Sequence, residues 1–253
     1  MRDQLSSGQI DMYDEHGFLV VEGFLDAEEL EPLRRAVGEA VPPGGDASSG
    51  DRPRSLDRQH DDLWRTDERV RRFCLDPRLG AVARQLGRID EVRLARDRAV
   101  VKPAWCDATG WQMDTPGLWF THPATSTFWF ALTDVDLRAG CPYYVAGSHR
   151  ARARTAGRMR LDGLRLLHPD WKDAEPVPCP VGAGALIARS GDTAHGACPN
   201  ITPLARAALA LTWMPAGSRF DGAPDALPAA AVGAVQPGDR LDVDLFPALP
   251  GRR

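Results

Sequence analysis

The chain has 253 residues, of which 26% are charged and 43% are hydrophobic, and its formal net charge is −4. This is the composition of an ordinary globular protein with a sizeable core. The slightly negative net charge does not favour a nucleic-acid partner. No apolar run reaches the roughly 18 residues of a membrane-spanning helix, so a membrane partner is not favoured either. The N-terminus has no apolar segment typical of a secretion signal, and the five cysteines are widely spaced without a CxxC pair, so we expect a cytoplasmic protein with reduced thiols.

The first third of the chain predicts mainly helices. The segment FLVVEGFLDAEELEPLRRAVGEAV (18–41) predicts a short strand and then a helix, which begins with a capping box formed by Asp26 and Glu29. Residues 42–54 are rich in Pro, Gly and Ser and predict a mobile loop. Residues 63–87 predict a helix that is interrupted by an Asp-Pro pair, because Asp caps a new helix and Pro fits its first position.

From residue 91 onward, short apolar runs separated by Gly, Pro and Asp predict strands. The chain thus divides into a mainly helical part (1–90), a β core of about eight antiparallel strands (91–215) and an irregular tail (216–253). Residues 151–176 form an Arg-rich excursion within the core. This order predicts a single α+β domain built on a barrel or jelly roll.

Three polar side chains have the spacing of a metal site in such a barrel, and a fourth is suited to bind an anion. Gln112 and Asp114 are two residues apart, which places both on one face of a strand, and His195 follows much later in the chain. Two histidines and one carboxylate, arranged in this way, leave three open positions on Fe(II). Arg206 begins another strand-like run, where a buried arginine would bind a carboxylate through two parallel hydrogen bonds.

With these motifs the sequence resembles the phytanoyl-CoA dioxygenase-like family of the Fe(II)/2-oxoglutarate-dependent oxygenases. The resemblance extends from YDEHGFLVVEGFLDAEEL, which begins at Tyr13, to about Pro215. It rests on four segments in the family's order: DEHGFLVVEGFL, AVVKPA with WQMD, ALTDVDLRAGCPYYVAGSHR, and GDTAHGACPNITPLARAAL. It implies a double-stranded β-helix core with N-terminal and flanking helices. It also implies Fe(II) and 2-oxoglutarate as cofactors and a small-molecule substrate, whereas the oligomeric state stays open.

The resemblance assigns the metal ligands position by position. Asp114 matches the metal carboxylate and His195 the distal metal histidine, and Gln112 stands where the family has its first metal histidine. Ala197 stands where the family often has a serine that supports the cosubstrate. An amide oxygen is a weaker ligand for iron than an imidazole nitrogen, so we expect iron to bind weakly or not at all. The halogenases of the superfamily lose the carboxylate, which this chain keeps.

The cosubstrate site is also implied by the resemblance. Arg206 matches the arginine that pairs with the far carboxylate of 2-oxoglutarate. Trp129 lies near an aromatic residue that often lines that site, and Lys102, in the AVVKPA segment, is predicted to contribute to it.

Simpler interpretations of these residues stay open. Gln112 would also serve as a buried amide bonded to the backbone, and Asp114 as a cap of the Thr-Pro turn that follows it. His122 is a candidate replacement ligand, although a residue of the pocket wall is the simpler interpretation. Cys198 and His195 together would form a nucleophile pair, although cysteine more often fills a core.

Three functions are compatible with the sequence. The first is an oxygenase that uses Fe(II), 2-oxoglutarate and O₂ in natural-product tailoring, by hydroxylation, epimerisation or cyclisation, with Asp114 and His195 at the reaction centre. The second is an iron-independent enzyme on the same fold, in which these two residues act as acid and base for a cyclisation, isomerisation or elimination. The third is a non-catalytic binder of a small molecule.

Overall fold

The computed structural model describes residues 3–42, 57–151, 163–164, 168–222 and 227–249. The predicted loop at 42–54 lies outside these ranges beyond residue 42, as does much of the excursion at 151–176. Among the described residues, no helix is long and apolar enough to cross a membrane.

The helices lie in the first third of the chain, as predicted. They are α1 (Ser7–His16), α2 (Ala27–Ala40), α3 (Glu68–Cys74) and α4 (Pro77–Gly87), with a short 3₁₀ turn at Leu63–Arg65. The capping box of α2 is confirmed, because Glu29 N–H donates to the Asp26 carboxylate at 2.9 Å and Asp26 N–H donates to the Glu29 carboxylate at 3.2 Å. The predicted break is also confirmed: the Asp76 side chain caps α4 and Pro77 is its first residue.

Eleven strands in the described residues form two antiparallel sheets. The strands are β1 (Phe18–Val21), β2 (Arg58–Asp61), β3 (Val92–Lys102), β4 (Thr109–Gln112), β5 (Ser126–Ala131), β6 (Pro142–Tyr144), β7 (Val177–Pro178), β8 (Leu186–Ser190), β9 (His195–Ala197), β10 (Arg206–Pro215) and β11 (Ala248–Leu249). The large sheet has the order β1-β8-β5-β10-β3-β11, with β2 also paired to β3, and the small sheet has the order β4-β9-β6-β7. These curled antiparallel sheets form the predicted double-stranded β-helix.

The β core extends beyond the predicted residues 91–215 at both ends. Strands β1 and β2 come from the helical part, and β11 comes from the tail assigned as irregular. Neither β2 nor β11 has a strand-like sequence pattern, because β2 reads RQHD and β11 has only two residues. Both pair with the outer edge of β3, whose length of 11 residues offers hydrogen bonds to both.

The large sheet separates the main core from the interior between the sheets. On its outer face, Phe128, Phe130, Leu209 and Leu211 are fully buried in one cluster with apolar residues of α2, α3 and α4. Because successive side chains of a strand point to opposite faces, the alternate residues of β5, β8 and β10 are directed between the sheets. The polar side chains that reach the interior therefore lie on a rigid, packed support.

Candidate active site

A cavity of about 420 Å³ lies between the two sheets. It is rich in charged and polar side chains, with aromatic rings along its wall. The large sheet contributes Arg96, Arg98, Thr127, Trp129, Arg189, Arg206 and Thr212, and the small sheet with the turn after it contributes Thr109, Gln112, Asp114, Pro142, Tyr144, His195 and Ala197.

The structure brings Gln112, Asp114 and His195 together in this cavity. Strand β4 pairs with β9 in a register that sets Gln112 opposite His195. The Gln112 amide nitrogen lies 3.2 Å from His195 Nε2, and Asp114 Oδ1 lies 3.8 Å from the same nitrogen. Three potential metal ligands therefore surround one point, although His195 is far from the other two in the chain.

The backbone around Gly191 fixes the position of Asp114, which lies two residues beyond the end of β4 at Gln112. The carbonyl oxygen of Gly191 accepts hydrogen bonds from the backbone N–H groups of Asp114, at 2.9 Å, and Thr115, at 3.0 Å. A Cβ atom on Gly191 would lie only 2.4 Å from Thr115 Oγ1, so a larger residue requires the Thr115 side chain, or the turn that carries it, to shift. The glycine thus permits the close approach of two backbones that places the carboxylate.

His195 has a defined tautomer. Its Nδ1 lies 2.9 Å from the backbone carbonyl oxygen of Thr193. Because a carbonyl oxygen only accepts, Nδ1 carries the proton and Nε2 keeps its lone pair, which is the form of histidine that binds metals. The amide N–H of Gln112 donates to this lone pair, and the Tyr144 ring packs against the imidazole at 6.1 Å.

Asp114 forms a buried ion pair with Arg189, a residue that the sequence analysis missed. Arg189 Nε donates to Asp114 Oδ2 at 2.8 Å, and the arginine is only 7% exposed. Burial by itself raises the pKa of Asp114, but the charge of Arg189 and its hydrogen bond outweigh burial and hold the pKa well below its usual range. An arginine inside the apolar run ALIARS, close before a predicted ligand, was the available signal.

The structure also argues against three of the simpler interpretations. Interpreting Asp114 as a turn cap is wrong, because its side chain makes no capping hydrogen bond to the 3₁₀ turn at Thr115–Gly117. His122 lies outside the cavity lining, and its Nδ1 accepts from the N–H of Ala124 at 3.1 Å. Burial raises the pKa of the Cys198 thiol, which disfavours a thiolate nucleophile.

Arg206 and Trp129 line the same cavity. Arg206 is 3% exposed, and its Nη1 donates to the carbonyl oxygen of Gly140 at 2.9 Å, while the buried Nε has no hydrogen-bond partner among the described residues. The guanidinium lies 5.4 Å from the centre of the Trp129 ring. Burial lowers the pKa of Arg206. A buried cation with a spare N–H donor suits an anionic ligand.

Lys102 lies next to this region without lining the cavity. It is paired with Arg206 in the register of β3 and β10 and is fully buried. Its Nζ contacts Asp57 Oδ1 at 3.2 Å and Thr109 Oγ1 at 2.9 Å, and both of these partners do line the cavity. The ammonium is thus positioned to orient polar groups of the wall.

The three side chains are positioned to hold a divalent metal, but one of them, Gln112, is an amide instead of a histidine. Within the described part of the chain, no three His, Cys, Asp or Glu side chains are grouped to hold a metal. Asp114 and His195 form a pair, and only the Gln112 amide adds a third donor, once it rotates to present its oxygen. The spare donor of Arg206 fits a carboxylate such as that of 2-oxoglutarate.

Comparison with known proteins agrees with this geometry. A family model described as "Phytanoyl-CoA dioxygenase (PhyH)" matches residues 13–208. Phytanoyl-CoA dioxygenase domain-containing protein 1 of Bos taurus is 27% identical, over 84% of this chain and 91% of its own length. The crystal structure of SnoK, a non-heme alpha ketoglutarate dependent carbocyclase from nogalamycin biosynthesis, superposes with a TM-score of 0.83 at 27% identity, covering 97% of both chains. The epimerase SnoN in complex with Fe3+, alpha ketoglutarate and nogalamycin RO gives 0.79 at 25% identity, covering 96% of this chain and 97% of that one.

Proposed function

The chain belongs to the phytanoyl-CoA dioxygenase family, and we propose that it is an oxygenase that modifies a small molecule with Fe(II), 2-oxoglutarate and O₂. The family uses Fe(II) and 2-oxoglutarate. The similar structures are a carbocyclase and an epimerase connected with nogalamycin, so a natural product is the proposed class of substrate.

One observation carries the proposal. Gln112 and Asp114 lie 3.2 and 3.8 Å from His195 Nε2 in one cavity, and a buried arginine with a spare donor lines that cavity. A cavity with convergent polar groups and titratable side chains of shifted pKa is the arrangement expected of an active site.

Each residue then has a role that follows from its contacts. Asp114, His195 and the rotated Gln112 amide would hold the metal, which supplies activation of O₂ when bound. Arg206 would hold the far carboxylate of 2-oxoglutarate, with Trp129 against the guanidinium. The walls exclude bulk water from this end of the cavity, because most of these side chains are buried.

The substrate would enter at the other end, where charges are more exposed. Arg98 and Asp61, which also line the cavity, form an ion pair, with Arg98 Nε 2.5 Å from Asp61 Oδ1. Paired charges in the wall suit a polar substrate.

The proposal is tested by loading the protein with Fe(II) under anaerobic conditions and measuring bound iron and succinate formation from 2-oxoglutarate. Iron-dependent succinate formation is expected. A protein that binds no iron and forms no succinate, while converting its substrate in the presence of a strong chelator, would overturn it.

One specific observation favours a second function: the side chains of His195 and Asp114 have hydrogen-bond partners within the chain and need no metal. Gln112 donates to His195, and Arg189 donates to Asp114. An iron-independent cyclisation, isomerisation or elimination would then use the His195 Nε2 lone pair as base. Asp114 would stay ionised beside Arg189 and stabilise the imidazolium. Activity that survives chelation would identify this case.

A further inference from the structure

The candidate metal ligands are each engaged by another group of the same chain. The lone pair of His195 Nε2 accepts from the Gln112 amide, and one oxygen of Asp114 accepts from Arg189. The amide reorients by a rotation about one bond. The guanidinium, in contrast, carries a full positive charge that it does not lose at any ordinary pH.

We propose that Arg189 sets how tightly this site holds a divalent metal, by occupying the carboxylate of Asp114 as an internal cation. This rests on the proposed function only in taking Asp114 and His195 as the metal ligands. Gln112, the visible departure from the family pattern, is then the smaller of two obstacles to metal binding.

The position of Arg189 makes this competition permanent. The residue lies within β8, paired with Phe18 of β1 on one side and with Thr127 of β5 on the other. All five residues of β8 are buried, so the backbone does not swing away as a loop would. A metal that binds Asp114 therefore binds a carboxylate whose charge is already neutralised, with a cation 2.8 Å from its second oxygen.

The surrounding charges act in the same direction. Arg96 and Arg98 also line the cavity; the charge of Arg96 lowers the pKa of Asp114, and Asp114 in turn raises that of Arg98. Asp61 is paired with Arg98 and its charge also interacts with Arg96, so it offsets part of this positive charge. A dication at this point therefore meets repulsion that Coulomb's law makes strong, because the site is screened from water.

The test compares the divalent-metal affinity of the native protein with that of Arg189→Gln. The Nε2 of glutamine is separated from Cα by the same number of bonds as arginine Nε, the atom that bonds to Asp114. The substitution thus keeps a hydrogen-bond donor and removes the charge, which avoids leaving a buried carboxylate unpaired. Mn(II) is titrated calorimetrically and by electron paramagnetic resonance, so that the readout is independent of catalysis.

We expect Arg189→Gln to bind Mn(II) about tenfold more tightly or better, the scale on which groups behind metal ligands act. Gln112→His with arginine retained should gain less, and the double variant should bind most tightly. Arg98→Met is the matched control, because it removes a nearby cavity arginine but leaves the Asp114–Arg189 pair; it should change the affinity less than Arg189→Gln.

Equal or weaker Mn(II) binding by Arg189→Gln would overturn the proposal, since Arg189 would then support the site or leave it unaffected. If this variant unfolds too readily for titration, the rise in its melting temperature with added Mn(II) replaces the affinity, because a ligand stabilises the state that binds it. A rise no greater than that of the native protein would again overturn the proposal. Tight binding without any succinate formation would refute the oxygenase function and leave this inference standing.

Discussion

Replacing Arg206 with methionine should leave the unliganded protein at least as stable while it weakens the binding of 2-oxoglutarate. Arg206 is buried and its pKa is lowered by that burial, because the carboxylate of Asp57, which is bonded to Lys102, offsets its charge only in part. An apolar side chain of similar length should therefore leave the unliganded protein unchanged or stabilise it by about 1–4 kcal/mol, the range known for buried ion pairs replaced by apolar residues.

The affinity for 2-oxoglutarate should fall in the same variant. A carboxylate bound by a guanidinium accepts two charge-assisted hydrogen bonds, each worth about 1.5–3 kcal/mol, so the loss is about 3–6 kcal/mol. At 1.4 kcal/mol per factor of ten, the dissociation constant rises by about two to four orders of magnitude.

The assay combines thermal unfolding of the unliganded protein with calorimetric titration of 2-oxoglutarate in the presence of Mn(II). Arg98→Met is again the matched control, because Arg98 is already paired with Asp61 and should affect 2-oxoglutarate little. Unchanged affinity in Arg206→Met would remove the cosubstrate site from the proposed function. A large loss of stability without ligand would show that Arg206 is a structural cation instead.

Three further predictions concern single side chains. Gln112→His should raise Mn(II) affinity in a calorimetric titration, because imidazole is the better donor; an unchanged affinity would show that position 112 does not contact the metal. Gly191→Ala should weaken metal binding and lower the melting temperature, because its Cβ would displace the turn that holds Asp114; native values for both would contradict this. Burial and the nearby Asp62 raise the pKa of Asp97 to about 7, so the folded protein holds this proton more tightly and stability falls as pH rises from about 4 to 7. Asp97→Asn should therefore stabilise the protein at pH 8, by up to about 4 kcal/mol in urea unfolding, and change it little at pH 4; an equal effect at both pH values would mean that Asp97 does not titrate in this range.

Local signals in the sequence predicted local structure well. The capping box of α2 depends on two residues three apart, and the start of α4 on Asp76 and Pro77, so no distant contact was needed. Strand β2 depends instead on the free edge of β3, to which its polar residues pair, and a sequence pattern does not show such an edge.

In the candidate site, too, the residues found from local spacing differ from the one that depends on distant contacts. Spacing and the order of the family's motifs selected Gln112, Asp114, His195 and Arg206, and all four line one cavity. Arg189 was missed because its meaning depends on the register of β8 against β5, which brings it to the Asp114 carboxylate from the opposite sheet. A buried ion pair across two sheets is a property of the fold, whereas the ligand spacing is a property of one strand.

The Gln112 amide connects the two proposed functions. In the metal-free arrangement its N–H donates to His195 Nε2, and in a metal-bound one its oxygen and the same imidazole lone pair both face the metal. One amide cannot do both, so the two states exclude each other. The free-energy difference between them combines the lost amide–imidazole hydrogen bond with the cost of placing a dication beside Arg189. Because the second contribution is a charge–charge interaction in a buried site, it is the larger, and metal dependence is decided at residue 189 more than at residue 112.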